Sequence, residues 1–316
     1  MKLQFSYLAS IFTLATSTTL PEAKNPSPAT SRGSSSTVDI SNNIIYRFGG
    51  ETCDSPKGGT TSSSSSATSD KYNPVSGYYD ASSHNMPEPL NSHGSAIVDS
   101  NLYILGGVNN EGVTQNFIYQ YEPTRNAQFS LYPETLNTPS YGISASVSSV
   151  NFLDQFQREV TRDGIVFTAV DSNVISAIDV IGKAKPIELL SVEDSILCST
   201  SNLSELNKLY LYSGCQNLYE LDTITLELTL VSKIPNTNIR EEVTCASTSD
   251  GRFYIIGGVT GDGIESHAIT YYDKEGESWG ELSQFDERLS GFSGAVVVQD
   301  NLIIASCGIT QVIEMV

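Results

Sequence analysis

Four side chains in this sequence stand where loops can gather them around one opening. His93, Tyr141, Arg240 and Arg288 each come shortly before a run of small and β-branched residues that reads as the opening strand of a repeated unit. An imidazole, a phenol and two guanidiniums around one mouth hold an anionic or sugar ligand by charge-assisted hydrogen bonds and stacking. The same residues serve equally well as turn and rim groups satisfied by local partners, and the sequence leaves both readings open. For acid–base chemistry the only juxtapositions are Arg240 with Glu241 or Glu242, and Arg288 with Glu287. Adjacent carboxylates such as Glu241 and Glu242 point to opposite faces of a strand, so they make poor acid–base pairs.

Other chemistries find less support. The loops Val108-Asn109-Asn110-Glu111-Gly112 and Val259-Thr260-Gly261-Asp262-Gly263 carry oxygen ligands that suit Ca²⁺, but these residue types also simply make turns. The three histidines, His84, His93 and His267, show no paired-ligand spacing, and the five cysteines show no CxxC. There is no G-x-S-x-G elbow, and Gly106-Gly107 lacks the GxGxxG context of a nucleotide loop. No catalytic residue, metal or cofactor is therefore expected. Cys198 and Cys245 occupy matching places in neighbouring units and read first as small buried hydrophobes, second as a disulfide.

These side chains need a scaffold, and the scaffold is written as a repeat. Asn101-Leu102-Tyr103-Ile104-Leu105-Gly106-Gly107 returns as Arg252-Phe253-Tyr254-Ile255-Ile256-Gly257-Gly258, and earlier as Ile44-Ile45-Tyr46-Arg47-Phe48-Gly49-Gly50. Weaker copies lie at 164–169, 208–214 and 301–308. Each unit carries four apolar runs of strand length, with turn residues between them. Units of roughly 50 residues, each too small to bury its own apolar face, predict an all-β fold: a six-bladed β-propeller of four-stranded antiparallel blades. The last unit is one strand short. Either residues before Val38 supply that strand, or the ring ends incomplete.

The glycine doublet after an apolar strand resembles the kelch repeat. So do the aromatic-acidic strand endings Tyr79-Asp80, Tyr121-Glu122 and Tyr272-Asp273, with Trp279 a few residues beyond the last. The resemblance covers residues 38–316, is strong in units two and five and is poor in unit three. It implies a rigid ring whose variable loops bind partners, with Tyr and Trp filling the wedges between blades.

Composition and charge bound the partners. A formal net charge of −19 repels nucleic-acid backbones and anionic lipid surfaces, so no nucleic acid is expected, and no stretch after the first residues approaches ~18 uninterrupted apolar residues, so no stable membrane insertion is expected. Met1-Lys2 followed by an apolar run reads as a signal peptide over 1–23, and 24–37 as a flexible Ser/Pro-rich leader. The low-complexity stretch from Gly58 to Ser69 reads as a mobile loop. Asn202-Leu203-Ser204 is the one glycosylation sequon. The leading expectation is a secreted glycoprotein that binds a protein or glycan through loops at one face. The alternative is an exported carbohydrate-active enzyme on a kelch ring, of the galactose-oxidase or sialic-acid-mutarotase type. A copper-radical oxidase needs more histidines and a further domain after the ring; a mutarotase needs only an acid and a base facing each other in the mouth. An intracellular ubiquitin-ligase adaptor would call for an adaptor segment ahead of the ring.

Overall fold

The computed structural model describes residues 31–32, 35–39, 44–52, 65–80, 85–123, 128–153, 156–169, 172–201, 205, 207–214, 216–235, 239–241, 243–282, 284–285, 294–298, 301–306 and 309–314. They form a β-propeller of antiparallel sheets. Blade one comprises Ser35–Asp39, Ile44–Phe48, Ser69–Asn73 and Tyr78–Asp80. Blade two comprises Gly94–Val98, Asn101–Leu105, Ile118–Tyr121 and Phe129–Leu131. Blade three holds Ser144–Leu153, Glu159–Thr168, Val174–Ile178 and Ile187–Ser191. Blade four holds Ile196–Ser201, Lys208–Ser213, Asn217–Asp222 and Leu228–Lys233. Blade five holds Thr244–Ser247, Phe253–Ile256, Ile269–Asp273 and Ser278–Glu281.

Among the described residues the four-stranded blades number five, not six. The last repeat forms a three-stranded sheet of Gly294–Val298, Asn301–Ser306 and Ile309–Glu314. Its inner strand lies between the inner strands of blades five and one, which closes the ring. The described N-terminal residues do not supply its fourth strand. Ser35–Asp39 is already the inner strand of blade one, and Ser31–Arg32 pairs with Glu51–Thr52. The ring thus takes in the end of the expected leader, while segment 1–23 lies outside the described residues.

The alternation along each second strand explains the ring. Leu102 and Ile104 join Tyr46, Phe48 and Tyr121 in one cluster facing blade one. Tyr103 and Leu105 join Ile165 and Phe167 in another facing blade three. A strand covered on both faces must be apolar at consecutive positions, which is why these segments read as unbroken hydrophobic runs. Each such side chain contributes about 1.5–3 kcal/mol of burial. The hairpin before that strand turns on Asp99 and Ser100, both with positive φ (49° and 61°), as a two-residue type I′ connection requires.

Near the axis, small hydroxyls tie adjacent blades. Ser199 N donates to Ser144 Oγ at 2.8 Å, and Ser201 Oγ donates to the Val147 carbonyl at 2.7 Å. Ser247 Oγ donates to the Ser201 carbonyl. Cys198 and Cys245, on the inner strands of blades four and five, are joined as a disulfide with Cα atoms 5.7 Å apart. Of the two readings of this pair, the structure carries the second. A peptide map of unreduced protein is expected to recover the fragments containing these cysteines as one linked species; separate fragments would contradict the pairing.

Two segments depart from expectation. The insertion around residues 154–162 prolongs the first two strands of blade three into a long hairpin, with Val150 and Phe152 buried on the side of blade four and Leu153 exposed. The tail of the low-complexity stretch is not mobile surface. Ser65 and Ser66 are buried, and Ser66 exchanges backbone hydrogen bonds with Gly50 and Leu90.

Candidate functional site

Loops leaving the second strands and loops entering the next blade meet at one end of the ring. Short ribbons record this: Leu90–Asn91 pairs with Val108–Asn109, and Arg240–Glu241 pairs with Val259–Thr260. The glycine doublets let these loops lie directly on the sheet. Gly49 has φ 57°, and a Cβ there would sit 2.4 Å from the Leu90 carbonyl oxygen and 2.7 Å from His93 Cε1. Only glycine satisfies both the dihedral and the space.

Among the described residues, this end does not hold a rim of basic groups. His93 is buried, wedged between Gly49 and Gly107, and neither ring nitrogen has a hydrogen-bond partner among the described residues. Burial pushes its pKa down to about 4, and the nearby Phe48 carbonyl only partly opposes this. Arg240 is also buried, and its guanidinium turns back into blade five. Nη1 donates to the carbonyls of Gly257 (2.8 Å) and Ala268 (2.7 Å) and to Ser266 Oγ (3.3 Å). Nη2 donates to Thr270 Oγ1 (2.7 Å) and the Ile255 carbonyl (3.3 Å). Burial lowers its pKa, while Tyr212 and Glu281 favour its charge.

The two residues are not even equivalent. Arg240 faces Thr260 as Leu90 faces Asn109, so Val243 is the counterpart of His93. Of the four expected ligand residues, only Tyr141 is shown at the surface, with 45% exposure; Arg288 and Asn202 lie outside the described residues. With its guanidinium committed to blade five, Arg240 is not set against Glu241 as an acid–base pair. Glu242 and Glu287 lie outside the described residues.

The structure presents a different surface at this end. Blades two and five, opposite each other in the ring, carry congruent loops. In one, Val113 N and Glu111 N both donate to Asn109 Oδ1 at 3.0 Å, and Gly112 has φ 74°. In the other, Thr260 N donates to the Ile264 carbonyl at 2.9 Å, and Gly263 has φ 75°. Asn109 Oδ1 is thereby committed to its own loop, which favours the turn reading over calcium. Among the described residues there is no group of three or more His, Cys, Asp or Glu arranged to hold a metal ion.

Each loop lifts one aliphatic and one carboxylate into solvent. Val113 and Ile264 are 50% and 65% exposed, with Glu111 and Asp262 two positions before them. Glu193, Asp194, Glu241 and Glu265 are also exposed in the described loops here, whereas Lys233, at the end of the outer strand of blade four, stands at the periphery. The signal that could have found this surface is the equal offset of Val113 and Ile264 from the two glycine doublets.

No protein-family model matches this chain. No curated protein matches it either. Solved structures do match. One of them, YjhT, superposes with a TM-score of 0.60 at 16% sequence identity, covering 93% of this chain and 95% of that chain. At that identity the likeness shows the fold alone.

Proposed function

We propose that this chain is a secreted kelch-type β-propeller that binds a protein partner through the loop end just described. The observation that carries the reading is the pair of congruent loops on opposite blades, each holding an exposed aliphatic beside a carboxylate, with Tyr141 between blades two and three. Rigid loops lose little entropy on binding, and exposed apolar residues ringed by one sign of charge suit a partner with the opposite sign. The partner is therefore a protein with basic residues around an apolar centre, rather than an anionic sugar. Export is supported by the Met1-Lys2 signal-like start, the sequon at Asn202 and the Cys198–Cys245 disulfide, a bond that persists in oxidising compartments.

The test is a binding screen against extracellular proteins and glycans, repeated with Glu111→Lys combined with Asp262→Lys. Basic proteins are expected among the hits, and the double reversal is expected to weaken them by roughly tenfold, with a flatter salt dependence. Hits whose affinity ignores both the reversal and salt would sink the reading. The chain is expected in culture medium with a glycan on Asn202; retention inside the cell would refute export.

A further inference from the structure

We propose that the cleft between blades four and five, on the flank of the ring away from the loop end, is a binding site for a neutral saccharide. The cleft measures about 540 Å³. That lies within the ~300–1,000 Å³ of ordinary small-ligand sites. Val231, partly exposed above the buried ring of Tyr272, gives it a small apolar floor, and Glu220, Lys274, Glu277 and Thr229 surround that floor with polar groups. This is the combination a sugar needs, since its C–H face seeks apolar contact and its hydroxyls seek donors and acceptors together.

The electrostatics favour an uncharged ligand. Glu220 is held from both sides: Oε2 by Lys274 Nζ at 2.7 Å and Oε1 by Lys208 Nζ at 3.1 Å. Burial opposes its charge, but the bonds from Lys274 and then Lys208 prevail and hold its carboxyl below the usual range. An ionic ligand would have to compete with this fixed pair. Lys274 also meets Glu205 Oε1 at 3.6 Å, which leaves one of its three donors, and a hydroxyl can use that donor and the lone pairs of Glu220 without displacing either ion. Ser232 at the cleft wall already accepts from Trp279 Nε1 at 3.0 Å, so its own proton is left to donate. Glu277, at the exposed turn of blade five, brings a carboxylate to the rim, where it can accept from two neighbouring hydroxyls.

The site is independent of the loop end, and its test keeps the two apart. Saturation-transfer NMR on the intact chain, with glucose, galactose, mannose and N-acetylglucosamine as probes, is expected to show contact with at least one of them, with a Kd on the order of 1 mM. Glu277→Ala is expected to weaken that binding by about tenfold. Thr229→Trp, which fills the cleft from a solvent-exposed strand position, is expected to abolish it. The combined Glu111→Lys and Asp262→Lys variant should bind the sugar unchanged. Absence of transfer to every probe at about 20 mM, or transfer that survives both cleft variants, overturns the proposal. If Thr229→Trp misfolds, the Glu277→Ala result decides alone.

Discussion

Arg240→Met is expected to lower the unfolding free energy by about 3–5 kcal/mol and to abolish much of the cooperativity of blade five. The guanidinium spans blade five from the Ile255 and Gly257 carbonyls at the end of the second strand to the Ala268 carbonyl and Thr270 Oγ1 at the start of the third. Methionine fills most of the volume but offers no donor, so the Gly257 carbonyl and Thr270 Oγ1 lose short bonds at about 1–3 kcal/mol each, while the Ala268 carbonyl and Ser266 Oγ keep the backbone donors of Gly257 and Ala268. The variant also removes a buried cation, whose desolvation already costs stability, as its lowered pKa records. That relief is smaller than the loss, because the charge is spread over five acceptors and is not left bare. Arg240→Lys should recover less than half, since a single ammonium cannot reach both the strand carbonyls and the Thr270 hydroxyl. Urea unfolding of the three proteins measures this. A ligand-binding arginine on a rim would behave oppositely, leaving the unfolding midpoint in place and removing a partner instead.

That contrast shows what the residues disclosed before the fold was known. The propeller was legible because it rests on local patterns: unbroken apolar strands, turn residues at Asp99-Ser100 and glycine doublets that admit the crossing loops. The location of the loop end was legible for the same reason. The roles of His93 and Arg240 were not. A position just before a strand fixes where the backbone goes, but not whether the side chain turns outward or back into the sheet. The three-residue offset between these two positions depends on ribbon pairing, which only the assembled loops reveal. The cleft between blades four and five was invisible for a stronger reason. Glu220 and Lys274 are 54 positions apart, and nothing local links them.

Two exposed surfaces differ in chemistry. The loop end is aliphatic and acidic, with its carboxylates exposed. On the flank between blades four and five the charges are paired, Glu220 being shared between Lys208 and Lys274, which in turn meet Asp222 and Glu205. A ring built from stacked blades permits this division, because loops vary without disturbing the packed faces and the clefts between blades vary without disturbing the loops.

The second large effect is a loss of stability in mild acid contributed by His93. His93 is fully buried, and its pKa in the fold is about 4 against an ordinary value of 6.5. Above pH 6.5 the imidazole is neutral in both folded and unfolded chains and contributes no pH dependence. As the pH falls from 6.5 towards 4, the unfolded chain takes up a proton that the folded chain refuses, so stability drops across that window. Over its full width the drop is roughly 3 kcal/mol, and below pH 4 this residue adds nothing further. Glu220, Asp222 and Asp273, whose pKa values the fold lowers, lose their contributions at lower pH, in the carboxylate range. Over pH 7 to 5 the difference between the parent and a variant lacking the imidazole therefore isolates the contribution of His93. His93→Gln keeps a polar side chain of similar size between the two glycine pairs but cannot titrate. It is expected to lower stability at pH 7, since the amide brings two donors and an acceptor into a buried space where the Phe48 carbonyl is the nearby acceptor and cannot serve them all. Its urea midpoint should then stay nearly level down to pH 5, while that of the parent falls. Parallel curves for the two proteins would mean that the imidazole is protonated inside the fold, and the wedge between Gly49 and Gly107 would have to open to water to allow it.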